Sequence, residues 1–265
     1  MEHPKISIGI VSLDNPTYLD LLLKGLYKNT VNSFEVLVHG NCPSKEFNII
    51  VQKWIDKGII TLYNQSEENL RIAKPLNDLF SQAKGKYFVF LDDDTYPAPG
   101  WDEALLRKVK PEVLYQYLAV TPFDNSKAAT KYNPPIFGTC VQDFQEDNFN
   151  TKWKDSRTVL EDTYDIASNF LIKRELWEKL GGFDPSFRGG EDQDFKANIL
   201  YTSLKEKQPL EFRQVADSCV YHFGSIGKRK AVKVDDLSLF KGKYRNTGSE
   251  FYYDLIGTMK SIWPN

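Results

Sequence analysis

Cysteine is scarce in this sequence, and the three present cannot form a framework. Cys42, Cys140 and Cys219 are odd in number and far apart, with neither the spacing of a zinc site nor the density of a disulfide scaffold. A reducing compartment is the simplest setting for such a chain. An excess of charge is missing too. Against 34 Lys and Arg stand 36 Asp and Glu, a net charge of −2 without the global basic signature of a nucleic-acid binder. Long hydrophobic runs are absent, and none nears the roughly 20 residues that a membrane-spanning helix needs. Met1-Glu2-His3-Pro4-Lys5 leads straight into a strand-like segment without a signal-peptide pattern. The expected location is the cytoplasm, or the host cytoplasm for a viral chain, with room for peripheral membrane attachment. No internal repeat is found.

What is there is a 265-residue chain in which 14% of residues are aromatic, enough to fill a core and still line a pocket. The length suits one sizeable α/β domain or two small ones. Ile6 to Leu13 has the short, apolar, β-branched character of a buried strand, and leucines at helical spacing run from Tyr18 to Tyr27. Strands are predicted at Phe34–Val38, Ile59–Tyr63 and Tyr87–Leu91, with helices at Phe47–Lys57 and from Pro75 to about Ala83. This alternation predicts a mainly parallel sheet with helices on both faces, whose ligands bind at the carboxyl ends of the strands. Further on, a helix is predicted at Trp101–Val109 and a strand at Tyr117–Thr121. Phe123 to Asp165, polar and carrying Pro134-Pro135, is expected to be an irregular insertion over the site. Regular structure resumes with a strand at Ala167–Ile172, helices at Arg174–Leu180 and from Glu191, and a strand at Val215–Tyr221.

Three segments carry chemistry. Asp92-Asp93-Asp94 follows a predicted buried strand, and three adjacent carboxylates repel unless a cation or hydrogen-bond donors compensate. Hard divalent cations prefer such oxygen ligands and leave positions for substrate phosphates. The competing account is a solvated acidic turn capping the next helix. Gly189-Gly190-Glu191-Asp192-Gln193-Asp194 places carboxylates at a helix start, suited to a general base, although the helix dipole favours acids there without any catalytic role. His222 ends a predicted strand. Imidazole with carboxylates and phosphate oxygens suits Mn²⁺ better than Mg²⁺, while a lone histidine is more often structural.

These segments, in this order, resemble the family 2 glycosyltransferases of GT-A fold, a Rossmann-like architecture. Lys86 to Asp94, followed by Pro97, Pro99, Gly100 and Trp101, is similar to the family's strand, DxD motif and P-x-W continuation. Leu180-Gly181-Gly182-Phe183-Asp184-Pro185-Ser186-Phe187, then Glu191-Asp192-Gln193-Asp194, is similar to its GGFDxxF and EDxD segment. Val220-Tyr221-His222-Phe223-Gly224 resembles the late metal-ligand histidine of many GT-A enzymes. The resemblance spans about Ile6 to Gly227.

It implies a hexosyltransferase that uses Mn²⁺ (or Mg²⁺) and a nucleotide-sugar donor, a UDP-sugar ahead of a GDP-sugar, to glycosylate a saccharide or other hydroxyl acceptor, with inversion. Asp94 and His222 would bind the metal, Asp92 the nucleoside ribose with Asp93 nearby, and Val11 and Ser12 would line the base pocket. Asp192 would be the base and Glu191 would orient the acceptor or donor sugar. Arg71 and Asn77 lie where the family contacts the donor, and Lys228 or Arg229 would face the leaving diphosphate. Trp101 and Trp153 are the expected acceptor contacts. The chain departs from the family at Val11-Ser12, where proline and threonine are usual, and at His39-Gly40-Asn41, where an acidic residue is common. Base recognition is then altered, or falls to Asn41 or His39. The expected division is one domain over 1–227, with a donor half to about 121 and an acceptor half from 122, and a basic, aromatic extension over 228–265 packing on it.

Three rivals share parts of this pattern. A nucleotidyltransferase needs a glycine-rich basic loop, whereas Ile6 to Pro16 holds only Gly9 and no basic residue. A non-catalytic nucleotide-sugar-binding module has no need of the full set of acidic motifs. A glycosyltransferase acting on a modified nucleic-acid base would use the lysines and arginines after Lys228 as strand contacts.

Overall fold

The computed structural model describes residues 4–110, 113–120, 136–156, 169–187, 190–207, 211–224 and 242–243. Lys228 and Arg229 lie outside the described residues. Among the described residues eight strands form one sheet: β1 (Ile6–Leu13), β2 (Phe34–Asn41), β3 (Ile60–Ser66), β4 (Tyr87–Asp92), β5 (Thr95–Pro97), β6 (Val113–Val120), β7 (Phe170–Lys173) and β8 (Glu211–His222). Their order is β3-β2-β1-β4-β7-β6-β8-β5. β3, β2, β1 and β4 run parallel, β7 is antiparallel to β4, and β6 pairs in parallel with β8. The mainly parallel α/β sheet expected from the sequence is the one observed.

Seven α-helices among the described residues accompany it: α1 (Pro16–Asn29), α2 (Lys45–Asp56), α3 (Ala73–Gln82), α4 (Trp101–Arg107), α5 (Glu146–Lys152), α6 (Arg174–Leu180) and α7 (Glu191–Glu206). The alternation of side chains along β1 sorts them into layers. Ile6, Ile8 and Ile10 pack with leucines of α1, with Phe47, Val51 and Trp54 of α2, and with Trp101 and Leu105 of α4. The opposite face carries α3, α6 and α7, through Leu76, Phe80, Trp177 and Phe195. Gly9 faces that side, and a Cβ there would lie 2.7 Å from Leu76 Cδ1 and 2.8 Å from Phe80 Cε1. The glycine lets α3 press directly onto the strand.

Several boundaries moved for physical reasons. α3 begins at Ala73 and not at Pro75, which sits inside the first turn. An N–H at that position has no intrahelical partner, so proline costs nothing there. β2 and β3 run on through polar residues to Asn41 and Ser66, because ladder pairing continues past the end of the apolar run. The insertion contains α5, whose Phe149 is fully buried with Phe137, Trp153, Tyr96 and Tyr221. Glu146 holds α5 to α1 by accepting from Lys24, from Lys28 at 2.6 Å and from Tyr96 Oη at 3.0 Å.

Two expected acceptor contacts are corrected here. Trp101 is 0% exposed in the core, with its Nε1 donating to Thr30 Oγ1 at 3.2 Å. Trp153 is likewise buried, in the aromatic cluster under β8. Neither ring offers a face to a ligand; both fill core volume.

Candidate active site

The strand register assembles the site. Val11 pairs with His39 of β2 on one side and with Asp92 of β4 on the other, forming one rung at the carboxyl end of the sheet. The order β3-β2-β1-β4 places this rung where the chain, having wound outward to β3, crosses back to β4, the place where parallel sheets leave a crevice.

After Asp92 the chain turns sharply. Thr95 Oγ1 donates to Asp92 O at 2.8 Å, and β5 then pairs antiparallel with the end of β8, Thr95 opposite His222. Phe223 N donates to Asp94 O at 3.0 Å. These backbone contacts bring His222 Nε2 to 3.1 Å from Asp94 Oδ1 and 3.8 Å from Asp92 Oδ2. One ligand atom from each of the three residues lies within 4.8 Å of the others, the one such group among the described residues.

Asp92 is fixed by a residue that no motif signalled. Asn169, 1% exposed and immediately before β7, accepts the Asp92 N–H through Oδ1 at 2.6 Å. Its Nδ2 donates to Asp92 Oδ2 at 2.7 Å. A buried amide gripping both the backbone and the carboxylate of one aspartate leaves that carboxylate a single orientation. In sequence Asn169 is one polar residue at the head of an apolar run, and only its burial there hints at a role. Asn169→Ala is expected to weaken Mn²⁺ binding about 10–100-fold, as loss of a group orienting a ligand does. Metal titration of the purified variant checks this, and unchanged affinity refutes it.

Asp93 is separate from this pair. Its Oδ2 accepts from Ser12 Oγ at 2.5 Å, against the end of β1. Burial pushes its carboxyl up to about 7; the Ser12 hydrogen bond opposes the rise, and the charges of Asp94 and Asp92 add to it. The triplet therefore divides, with Asp92 and Asp94 converging on His222 while Asp93 closes onto β1. Tyr18, at the start of α1, is a second residue without a sequence signal. Its ring meets Phe223 edge-on at 5.3 Å. Burial raises its phenol, and Cys140, Asp94 and Asp143 raise it further.

On the β2 side, His39 and Asn41 are buried. His39 Nε2 lies 3.1 Å from Ser66 Oγ, and burial lowers its pKa, favouring neutral imidazole. Asn41 Oδ1 accepts Leu70 N–H at 3.0 Å and the Ser66 hydroxyl at 3.2 Å, and its Nδ2 donates to Arg71 O at 3.0 Å. This amide is occupied in shaping the 66–71 loop, at whose end Arg71 takes a positive φ of 62°. Asn77, an expected donor contact, donates to Phe183 O at 2.8 Å and accepts Phe183 N–H at 3.0 Å, tying α3 to the Gly181-Gly182-Phe183 segment. Val11 is half-buried and Ser12 is buried.

The second acidic motif opens α7. Phe195 stacks on Phe170 with centroids 5.6 Å apart, so the first turn of α7 packs beside the start of β7, next to Asn169. Glu191 and Asp194 are buried, whereas Asp192 is half-exposed.

Two carboxylates and an imidazole form a mixed oxygen and nitrogen donor set suited to Mn²⁺ or Mg²⁺. The 3.1 and 3.8 Å separations are near the spacing of about 3 Å between adjacent ligands around an octahedral ion with bonds of about 2.1 Å. The residues fit such an ion.

Residues 7–195 match the family described as Glycosyl transferase family 2. The chain is 25% identical over 242 residues to an uncharacterized glycosyltransferase of Haemophilus influenzae, covering 89% of this chain and 74% of that protein. It is 25% identical over 260 residues to the O-antigen biosynthesis protein RfbC of Myxococcus xanthus, covering 91% of this chain but 19% of that much longer protein. Among solved structures, S. aureus TarS 1-349 in complex with UDP-GlcNAc superposes with a TM-score of 0.64 at 18% identity, covering 97% of this chain and 73% of that one. A longer TarS chain is covered over 36% of its length. The mannosyltransferase PcManGT from Pyrobaculum calidifontis, in complex with GDP-Man and Mn²⁺, superposes with a TM-score of 0.58 at 17% identity, covering 87% of this chain and 59% of that one. At these identities the structural likeness speaks for the fold.

Proposed function

Because this chain belongs to glycosyl transferase family 2, we propose that it moves a sugar from a nucleoside-diphosphate sugar to an acceptor hydroxyl, using a divalent cation held by Asp94 and His222 with Asp92 beside them. The observation that carries this reading is the convergence of Asp92, Asp94 and His222 from the ends of two strands far apart in sequence. Mn²⁺ is favoured over Mg²⁺ because one donor is an imidazole. When bound, the ion would neutralise charge on the leaving nucleoside diphosphate.

The protein's own groups divide the remaining work. Asp92, gripped by Asn169, would take the nucleoside ribose. Val11, Ser12 and the loop ordered by Asn41 would line the base, with Arg71 at the loop's end. A UDP-sugar is the favoured donor. Lys228 and Arg229 would add positive charge at the diphosphate. In the transfer step the acceptor oxygen bonds to the anomeric carbon as the bond to the diphosphate oxygen breaks, and the hydroxyl proton passes to Asp192. Glu191 would orient acceptor or donor sugar. Attack from the face opposite the leaving group inverts the configuration. The sugar is expected to be a hexose and the acceptor a saccharide hydroxyl. No helix among the described residues is long and apolar enough to cross a membrane; a cytoplasmic site of action is part of the proposal.

A panel of nucleotide sugars tests the reading. Slow hydrolysis of one donor, dependent on Mn²⁺ and abolished by chelation, is the expected result, and it identifies nucleotide and sugar together. No hydrolysis and no transfer from any donor, despite donor binding, would favour the non-catalytic module instead.

A further inference from the structure

Lys243 lies far beyond the segments that hold the site, yet it ends on one of them. Its Nζ is 2.7 Å from Asp194 Oδ2 and 2.9 Å from Asp184 Oδ2. The ammonium also lies 5.4 Å from the centre of the Phe187 ring. The lysine thus joins the Phe183–Phe187 turn to the first turn of α7, the turn that carries Glu191 and Asp192. We propose that Lys243 is a positioning residue that fixes this turn, and with it the Asp192 carboxylate, against the sheet. The proposal rests on the glycosyltransferase reading for its catalytic consequence, though not for its structural one.

Charge and burial support it. The Asp194 side chain is 2% exposed, and a carboxylate so far from water needs a cationic partner. Asp184 is already engaged on its other oxygen, where Oδ1 accepts Ser186 N–H at 3.0 Å and the Ser186 hydroxyl at 2.5 Å. Burial pushes the Asp184 carboxyl up, but the Ser186 and Lys243 hydrogen bonds outweigh it and hold the group below its usual range. Both acids are therefore built to receive a cation. On α7 itself, Asp194 N donates to Gly190 O at 2.8 Å, so the ion pair bears on the residues flanking Asp192. Phe195, the next residue, stacks on Phe170. The turn is held by this stack on the sheet side and by Lys243 at Asp194.

The test pairs hydrogen exchange with kinetics in the full chain. In Lys243→Met, amide exchange across 191–195 should quicken about tenfold, as loss of the cationic partner of a buried carboxylate predicts. The transfer kcat should fall about tenfold while the donor KM moves less than about twofold, because the groups proposed for the nucleotide and the cation lie on or beside β1, β2, β4 and β8 and not on α7. Lys243→Arg should restore both. The double variant Lys243→Met/Asp194→Asn removes the buried charge along with its partner, and should exchange more slowly than Lys243→Met alone. It also supplies a soluble comparison should Lys243→Met fold poorly. Wild-type exchange and wild-type kcat in Lys243→Met would overturn the proposal, as would equal exchange in Lys243→Met and the double variant. If exchange responds as stated while the wild-type protein transfers no sugar, the positioning contact stands and the glycosyltransferase reading is what fails.

Discussion

Asp94→Ala is expected to lower Mn²⁺-dependent donor turnover about 10³-fold, the scale of losing a preorganised electrostatic contact to a developing charge. Asp94 is the pivot of the cluster. It is 2% exposed, its Oδ1 is 3.1 Å from His222 Nε2, and its backbone oxygen accepts Phe223 N–H at 3.0 Å. The backbone contact survives the substitution, so the β5–β8 corner should keep its shape. Removing one carboxylate from three neighbours also relieves repulsion, so the metal-free variant should melt no lower than the parent. The discriminating observation is the Mn²⁺-induced rise in Tm, which should be present in the parent and absent in the variant. His222→Ala should behave likewise. Mn²⁺-dependent turnover within about tenfold of the parent would remove Asp94 from the metal site.

The second large effect concerns proton transfer. Asp192→Asn should lower transfer about 10²–10⁴-fold, the range for a lost general base, while donor affinity stays within about twofold. The amide keeps the size of the side chain and cannot accept the proton. Asp192 suits the role because it is half-exposed, within reach of an acceptor arriving from solvent, whereas Glu191 and Asp194 on the same turn are buried. Donor affinity is measured by titration and transfer by product formation. Undiminished transfer would withdraw Asp192 from the role and direct attention to Glu191.

Much of this was legible in the sequence. β1 and α6 were predicted at the residues where they are found, because each is an unbroken pattern closed by a strong stop, Asp14-Asn15-Pro16 and Gly181-Gly182. The acidic triplet could be named because three adjacent carboxylates repel without compensation, and His222 because it ends a predicted strand. Their convergence follows from the family resemblance and not from spacing, since it depends on β5, whose three residues, Thr95 to Pro97, are too few to carry a period. Asn169 was invisible because a single amide in an apolar run looks the same whether it grips a ligand or caps a strand. Trp101 and Trp153 misled for a related reason: an aromatic ring fills a core as readily as it lines a sugar site, and composition does not say which face is covered. Asn41 stood out as a departure from a family pattern, but its partners, Leu70 and Arg71, belong to a loop whose path the sequence does not reveal.

The pairing of β5 with β8 sets a lower bound on any minimal catalytic fragment. The family match ends at residue 195, beyond both acidic motifs, while the imidazole arrives only at His222, the last residue of β8. A fragment trimmed to the matched region would keep every aspartate of the site and lose its one nitrogen donor. It would also lack β8, which lies between β6 and β5 in the sheet. Such a fragment should be judged as a different molecule, one with an acidic corner open to solvent, and its silence in an assay would say nothing against the 265-residue chain.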